Sequence, residues 1–319
     1  MAPSPPTGER RSEADALRAQ RAALHCRSDT LQAIRRFFHE RDFLEIETPV
    51  RLRAPALELH LDAEPSGPLF LRTSPELHMK RLLGAGYERL FQMGPCFRRG
   101  ERGERHHPEY TMLEWYRAQA DYRAILSDTR DLLRAVAVAV RGEPRLAWQG
   151  RTIDLEAPWT RYTVQEAFLR WAGWDPVAHY DADRFDLDLV DRVEPALANA
   201  GAPCVLIDYP VEAAALARRR PGQPEVAERW ELYVGGMELA NAYSELTDPV
   251  EQAARFADCA ERRRAAGRTV YPLDEEFLAM LRQGMPPSGG IALGVDRLVM
   301  LLADVPDIGG VTAFRETDP

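Results

Sequence analysis

Cysteine is scarce in this chain. The four residues, Cys26, Cys96, Cys204 and Cys259, lie far apart and form no CxxC pair, which argues against a disulfide framework or a structural zinc site. Histidine does not supply a metal site either, because His106 and His107 are adjacent, a poor spacing for two ligands on one face. Long apolar runs are missing. None approaches the roughly 20 residues needed to cross a bilayer. The first residues, MAPSPPTGERRSEAD, contain no apolar core of a signal peptide, so a cytoplasmic protein with no membrane partner is expected. A positive surplus is missing too. The net charge is −9 and the pI about 5.4, which argues against an extended basic surface for nucleic-acid backbones. No internal repeat is visible. The glycines at Gly290 and Gly294 do not make a G-x-G-x-x-G turn in a strand–helix–strand unit, so a dinucleotide fold is not supported.

What is present is a substantial core-forming fraction, 45% hydrophobic residues in 319. Residues 1 to about 12 are rich in Pro, Ser and Arg and read as disordered. Helical character starts near Ser12. A clearer helix is predicted from an N-cap at Ser28 or Asp29, with Leu31, Ile34, Phe37 and Phe38 as its apolar stripe. The strand FLEIETPV follows and closes at Pro49. After a strand at PLFLRT, the run TSPELHMKRLLGAG predicts a helix with Ser74 as N-cap, Pro75 at the first helical position and Gly84 as its stop. Glu76 then sits in the first turn, where the helix dipole favours a carboxylate; an amine ligand is the sharper reading.

The stretch from Tyr87 to Tyr116 predicts two strands around a loop carrying Arg98, Arg99, Arg102 and Arg105 among Gly100 and Gly103. Forked guanidinium groups over a sheet suit phosphate or carboxylate, but such a loop can equally be a solvated hairpin tip. In the second strand Met112, Glu114 and Tyr116 share one face, and Thr111, Leu113 and Trp115 the other. A helix is expected from Asp121 to about Arg141. Residues 142–225 read as a partly helical insertion, with a capping box from Thr163 to Glu166 and a strand at CVLIDYP that can rejoin the main sheet.

Farther on, RWELYVGGMELANAYSEL places a two-residue turn at Gly235-Gly236. In the tight register Val234 faces Met237 and Tyr233 faces Glu238, which makes Glu231 and Glu238 diagonal neighbours about 7 Å apart. Two carboxylates so close call for a cation. Magnesium held by carboxylates and substrate phosphates is the natural candidate, and an exposed acidic strand face the plainer one. Simple alternation puts Glu245 on the opposite face, and only a bulge between Leu239 and Tyr243 brings it round. Helices are expected from Pro249 to about Arg264 and from Leu273 to Leu281. The tail runs a strand, GIALG, into a helix with Asp296 and Arg297 in its first turn.

Three of these segments together resemble motifs 1, 2 and 3 of class II aminoacyl-tRNA synthetases: the helix–strand ending at Pro49, the Phe97-Arg98 hairpin, and GGIALGVDR. TSPELHMKRLL, HPEYTMLEWY, GMELANAYSELTD and LGVDRLVML are similar to lysyl-tRNA synthetase sequence. The resemblance runs from about residue 28 to the C-terminus, with residues 1–27 as an extension. It implies an α+β catalytic domain, an antiparallel sheet flanked by helices, over residues 28–319. Two features point within this class to the elongation factor P–lysine lysyltransferase family. No anticodon-binding OB domain fits ahead of the first motif, and Ala292 stands where lysyl-tRNA synthetases have glycine. MLEWY and GVDRLVML fit that family closely.

This resemblance implies ATP-dependent activation of (R)-β-lysine, or lysine, as an adenylate, and transfer to a lysine side chain of elongation factor P. It implies ATP and Mg²⁺, no tRNA, and a homodimer through motif 1. Arg98 and Arg297 take the catalytic roles, on the α-phosphate and on adenine and the γ-phosphate. The ATP site takes in Arg99, Gly100, Arg105, His107, Glu238, Leu239 and Gly294 besides these. Ser74, Glu76, Glu114, Tyr116, Asn241, Glu245 and Ala292 fall where the family binds its amino acid, and Glu231 and Glu238 resemble its magnesium carboxylates. The family's Phe-Arg-x-Glu is Phe97-Arg98-Arg99-Gly100 here, with Glu101 one residue later, and His107 replaces an asparagine. Glu101 or backbone is expected to read the adenine amino group instead. A truncated synthetase charging a tRNA or a free amine, and an inactive regulatory paralogue, are the alternatives.

Overall fold

The structure, a computed structural model, describes residues 12–198 and 201–314. The disordered segment expected before Ser12 lies outside the described residues. Ser12 caps α1 (Glu13–Ala19) through a 3.2 Å bond from the Asp15 N–H. The next helix, α2 (Arg21–His39), starts well ahead of the cap expected at Ser28. Ser28 instead lies on its exposed face, its hydroxyl accepting from the Gln32 amide at 3.3 Å. Tertiary contact explains the longer helix. The guanidinium of Arg27 bonds Asp296 at 2.5 Å and Thr111 at 2.8 Å, so the early turns are anchored to the rest of the fold.

The chain continues through β1 (Leu44–Glu45), β2 (Arg51–Leu52), β3 (Pro65–Ser66), β4 (Leu69–Leu71), α3 (Glu76–Gly84), β5 (Arg89–Phe97), β6 (Glu109–Ala118) and α4 (Tyr122–Arg141). Next come β7 (Arg145–Trp148), β8 (Arg151–Asp154), β9 (Thr160–Thr163), α5 (Val164–Trp171), α6 (Ala182–Asp188), α7 (Glu194–Leu197), β10 (Cys204–Pro210) and β11 (Arg219–Arg220). The last elements are β12 (Gln223–Val234), β13 (Met237–Ser244), α8 (Pro249–Ala265), α9 (Glu275–Gln283), β14 (Ser288–Gly294) and α10 (Val295–Ala303).

The main sheet has the order β1-β5-β6-β14-β13-β12-β10-β9, with β11 beside β12. Its centre is antiparallel, as expected, but both edges are parallel, β1 on β5 and β9 on β10. The sheet is therefore mixed. Each parallel pair is joined by a helix-bearing crossover, α3 in one case and α5 to α7 in the other, which parallel pairing requires. Residues 142–225 thus contribute β9 and β10 to the main sheet besides the separate β7–β8 hairpin. Only two residues of FLEIETPV join the ladder. Beyond them the Thr48 N–H bonds the Gln92 side chain at 3.0 Å, so a side-chain amide takes over from strand pairing.

Local chemistry places several ends. The Thr163–Glu166 capping box opens α5 with bonds of 3.1 and 2.9 Å. Asp121 caps α4, which closes at Gly142 in the left-handed conformation, φ +82°. One face of the sheet packs on α2, α4 and α10 through Phe38, Trp115, Leu133, Trp230, Ile291 and Leu301. The opposite face carries the polar side chains. It is bordered by α3, α8 and α9, whose Leu77, Phe256 and Phe277 share a second core. No described helix is long and apolar enough to cross a membrane.

Candidate active site

Two rungs of the central sheet form the floor. Glu114, Ala292, Asn241 and Glu231 are paired across β6, β14, β13 and β12. Two residues along, Tyr116, Gly290, Tyr243 and Arg229 form the next rung. Paired residues share a face, so these side chains stand on one surface, while Leu113 and Trp115 point to the core. Gly290 is required here, because a Cβ would collide with Glu245 Oε1 and the Tyr116 ring.

The β12–β13 hairpin has the tight register at its turn. Leu232 then faces Ala240 while Tyr233 faces Glu238, so Leu239 is an extra, bulged residue. The bulge puts Glu238 and Asn241 on one face although they are an odd number of residues apart. Tyr243 and Glu245 follow Asn241 on that face. Simple alternation fails for Glu245 for this reason.

The carboxylates form a connected, nearly dry network. Ser74 Oγ donates to Glu114 Oε1 at 2.6 Å and the Tyr116 hydroxyl to Glu114 Oε2 at 2.8 Å. Lys80 Nζ donates to Glu76 Oε1 at 2.5 Å and contacts Glu245 Oε2, and Tyr243 donates to Glu76 Oε1. Glu245 Oε1 is buried with no donor. Burial, with the Glu76 charge beside it, pushes the Glu114 carboxyl up to about 8. Burial also raises that of Glu245, although Lys80 pulls it down. Burial works against the Lys80 ammonium, but Glu245 and Glu76 outweigh it and raise its pKa. Three buried carboxylates with one buried lysine among them leave a local surplus of acid.

Beyond Asn241, Arg229 reaches Asn241 Oδ1 at 3.0 Å and Glu231 Oε1 at 2.6 Å. Glu231 Oε2 accepts from Tyr209 at 2.6 Å and Tyr233 at 2.8 Å. Burial raises the Glu231 carboxyl against the pull of Arg229. Among the described residues no three acidic, histidine or cysteine side chains make a metal cage. Magnesium on a nucleotide asks for less, one or two carboxylates beside the phosphates. Glu238 is partly exposed and loosely paired, and Glu231 keeps one of its roughly four acceptor positions, so the pair fits that demand.

The arginines of the β5–β6 loop divide. Arg98 stacks its guanidinium over Tyr110, 5.2 Å from the ring centre, and its Nε is buried without an acceptor, as suits an anion-binding group. Glu101 lies 3.8 Å from it. Arg99 and Gly100 are exposed, Gly100 at φ +79°. Arg105 is turned to the Gly236 carbonyl at 2.7 Å, and His107 Nδ1 lies 2.6 Å from the Glu109 carbonyl. Arg297 is held by the Glu238 carbonyl at 2.7 Å and by His106 Nε2 at 2.7 Å, with Glu238 Oε2 at 3.4 Å. Gly294 leads into its helix and Leu239 is buried in the bulge. The structure therefore groups Arg297 with Glu238, and Ser74, Glu76, Glu114, Tyr116 and Glu245 around Lys80. It does not bring Arg99 or Gly100 into that network.

Sequence reasoning passed over Lys80, Tyr243 and Arg229. Lys80 follows Glu76 by four residues, the ordinary spacing of a helix-surface ion pair, which hides its burial. Tyr243 continues the Asn241–Glu245 alternation, and the bulge condition pointed to it. Ser74 is not the helix cap. Pro75 holds that position, and the Ser74 hydroxyl accepts from the Glu76 N–H at 2.9 Å while binding Glu114.

With this floor and its motif residues in view, comparison with known proteins defines the class. The chain matches the tRNA synthetases class II (D, K and N) over residues 13–318, and it belongs to that family. It is 39% identical over 311 residues to a lysine–tRNA ligase of Thermosynechococcus vestitus, covering 88% of this chain and 60% of that protein. It is 39% identical over 320 residues to the lysine–tRNA ligase of Prochlorococcus marinus, with 90% and 62% covered. For that of Burkholderia vietnamiensis the values are 37% over 326 residues, 92% and 63%. The chain thus spans about 60% of the length of these relatives.

Proposed function

We propose that this protein activates a lysine-type diamino acid with ATP and transfers it to a lysine side chain of elongation factor P. The observation that carries the reading is the acid surplus of Glu76, Glu114 and Glu245 around one buried ammonium, on the same sheet face as Glu238 and its partner Arg297. Buried carboxylates without enough cations favour a cationic ligand.

In the first step the carboxylate of the amino acid attacks the α-phosphorus of ATP in line, and pyrophosphate leaves. Arg98 and Arg297 supply fixed positive charge to the phosphates, so positioning and electrostatics carry the step. Mg²⁺, when bound by Glu238 and Glu231, neutralises phosphate charge. In the second step a neutral amine attacks the acyl carbon of the adenylate, AMP leaves with the C–O electron pair, and the nitrogen gives up a proton to solvent as the amide forms.

Preference for (R)-β-lysine rests on Ala292. Its methyl stands between Glu114 and Asn241 on the floor, where lysyl-tRNA synthetases have glycine, and it narrows the space for a 2-amino group. Elongation factor P as acceptor rests on the resemblance of MLEWY and GVDRLVML, and on a net charge of −9 that offers little to a nucleic-acid backbone. A tRNA acceptor is the second reading, favoured by the names of the relatives. A homodimer is proposed from motif 1.

ATP–pyrophosphate exchange tests the first step. Exchange that depends on lysine or β-lysine is expected, and exchange with neither overturns the reading. Mass spectrometry of elongation factor P after incubation, alongside tRNA acylation, tests the second. One added aminoacyl mass on one lysine is expected, and charged tRNA with unmodified elongation factor P overturns the protein acceptor.

A further inference from the structure

Glu58 has no assigned role, yet it lines the large cavity above the sheet floor. The cavity, about 690 Å³, is bounded there by Arg229, Glu231, Asn241 and Tyr243. The segment carrying Glu58 belongs to no strand or helix, and its shape is imposed from behind. Arg263, fully buried, donates to the carbonyls of Glu58 at 2.6 Å, Leu59 at 3.2 Å and Leu61 at 2.9 Å, and to Asp62 at 2.5 Å. The Ala63 N–H is tied to the Tyr271 hydroxyl at 2.8 Å. A backbone so fixed holds the side chain against the cavity.

That carboxylate has no hydrogen-bond or ion-pair partner among the described residues, unlike Glu76, Glu114 and Glu231. Burial and the nearby charge of Glu76 push it up to about 7, while Arg98 and Arg229 act the other way. Glu76, Arg98 and Arg229 are the charges close enough to act on it, so it stands between the Lys80 network and Arg98, whereas Glu245 is sequestered beside Lys80. A partnerless acid between those groups suits the ammonium on the carboxyl side of the amino acid.

We propose that Glu58 is a substrate-binding carboxylate that pairs with the amine nearer the carboxyl group of the amino acid, on the cavity wall facing Asn241 and Tyr243. This rests on the proposed diamino acid substrate. The other amine is left to the Glu245 end. Glu58 therefore discriminates between a diamino acid and an ω-amino acid that lacks the inner amine.

The test measures binding by calorimetry of (R)-β-lysine, lysine and 6-aminohexanoate to the full chain and to Glu58→Gln. A charge-assisted bond makes the better diamino acid bind about tenfold or more tighter than 6-aminohexanoate to the unaltered chain. In Glu58→Gln that preference is expected to fall to about twofold, with affinity for 6-aminohexanoate kept. Glu58→Asp, which keeps the charge, is expected to recover most of it. A preference unchanged in Glu58→Gln overturns the role of Glu58 and leaves the functional reading intact. So does an equal loss for all three ligands, which marks a structural effect. No binding of any of them to the unaltered chain overturns the functional reading and this inference together.

Discussion

Replacing Lys80 with methionine tests the electrostatic logic of the pocket without reference to any ligand. Lys80 is fully buried, with Glu76 Oε1 on one side and Glu245 Oε2 on the other. Methionine keeps the apolar stem of the side chain and removes the charged nitrogen. Two carboxylates, 6% and 1% exposed as residues, then lose their cation. Removing one partner of a buried pair costs about 3–5 kcal/mol. At about 2 °C per kcal/mol for a domain of this size, the melting temperature should fall by about 6–10 °C. The pH dependence carries the sharper signature. The pKa of Lys80 is raised, so its contribution is fully present below the unfolded value near 10.5 and is lost only above that. Between pH 7 and 9 it is constant in the unaltered protein. Glu245 is raised to about 8 even with Lys80 beside it, and loss of that pull raises it further, so the variant keeps it protonated above pH 8. The cost of the substitution therefore grows with pH above about 8, by up to about 1.4 kcal/mol per unit for each proton kept. Urea unfolding at pH 7, 8 and 9 measures this, and Lys80→Met with Glu245→Gln should recover about 2 kcal/mol. A loss below about 1 kcal/mol, or one independent of pH, would refute the coupling of these three groups.

Further outcomes follow from the same geometry. Glu114, raised to about 8, is largely protonated at pH 7, so a diamino acid that ionises it should release the greater part of one proton per site, read by calorimetry in buffers of different ionisation enthalpy. Glu114→Gln should abolish that release. The same raised carboxyl stabilises the protein fully below about pH 4.5 and loses its contribution as pH rises towards 8, so the free protein should be less stable at pH 8 than at pH 6. Gly290→Ala forces a methyl into Glu245 and Tyr116; an overpacking cost of about 1–3 kcal/mol and loss of amino-acid-dependent exchange are expected. Arg297→Ala should slow exchange by about 10²–10³-fold and weaken ATP, while leaving the binding of the amino acid alone unchanged, since Arg297 meets Glu238 and His106 rather than the Lys80 network.

Much of this molecule could be read along the chain because its determinants are local. Ser12, Asp121 and the Thr163–Glu166 box mark helix starts through hydrogen bonds that close within three residues. Gly235-Gly236 sets a tight hairpin register, and strand alternation puts Glu114 and Tyr116 together. The resemblance of the motifs grouped Arg98, Arg297 and the acidic residues as one candidate site, and family membership agrees with the fold that the motifs implied.

Other features depend on contacts between distant segments. The start of α2 was misplaced because Arg27 is anchored by Asp296, 269 residues away. The parallel edges of the sheet follow from how the crossovers return, which no alternation pattern reports. The position of Glu245 hung on one bulged residue, Leu239, since a shift of one residue turns every later side chain to the other face. The burial of Lys80, which comes from α3 packing between the sheet and α9, makes it the counter-charge of the pocket, and nothing in its spacing from Glu76 reports that. Glu58 sits in a segment without periodicity, and Arg263, reaching its carbonyl from 205 residues away, helps fix where it faces. Sequence determined which chemical groups are present and which neighbours share a turn or a strand face. Tertiary structure decided which of them are dry, and desolvation turns an ordinary carboxylate into one that needs a cation.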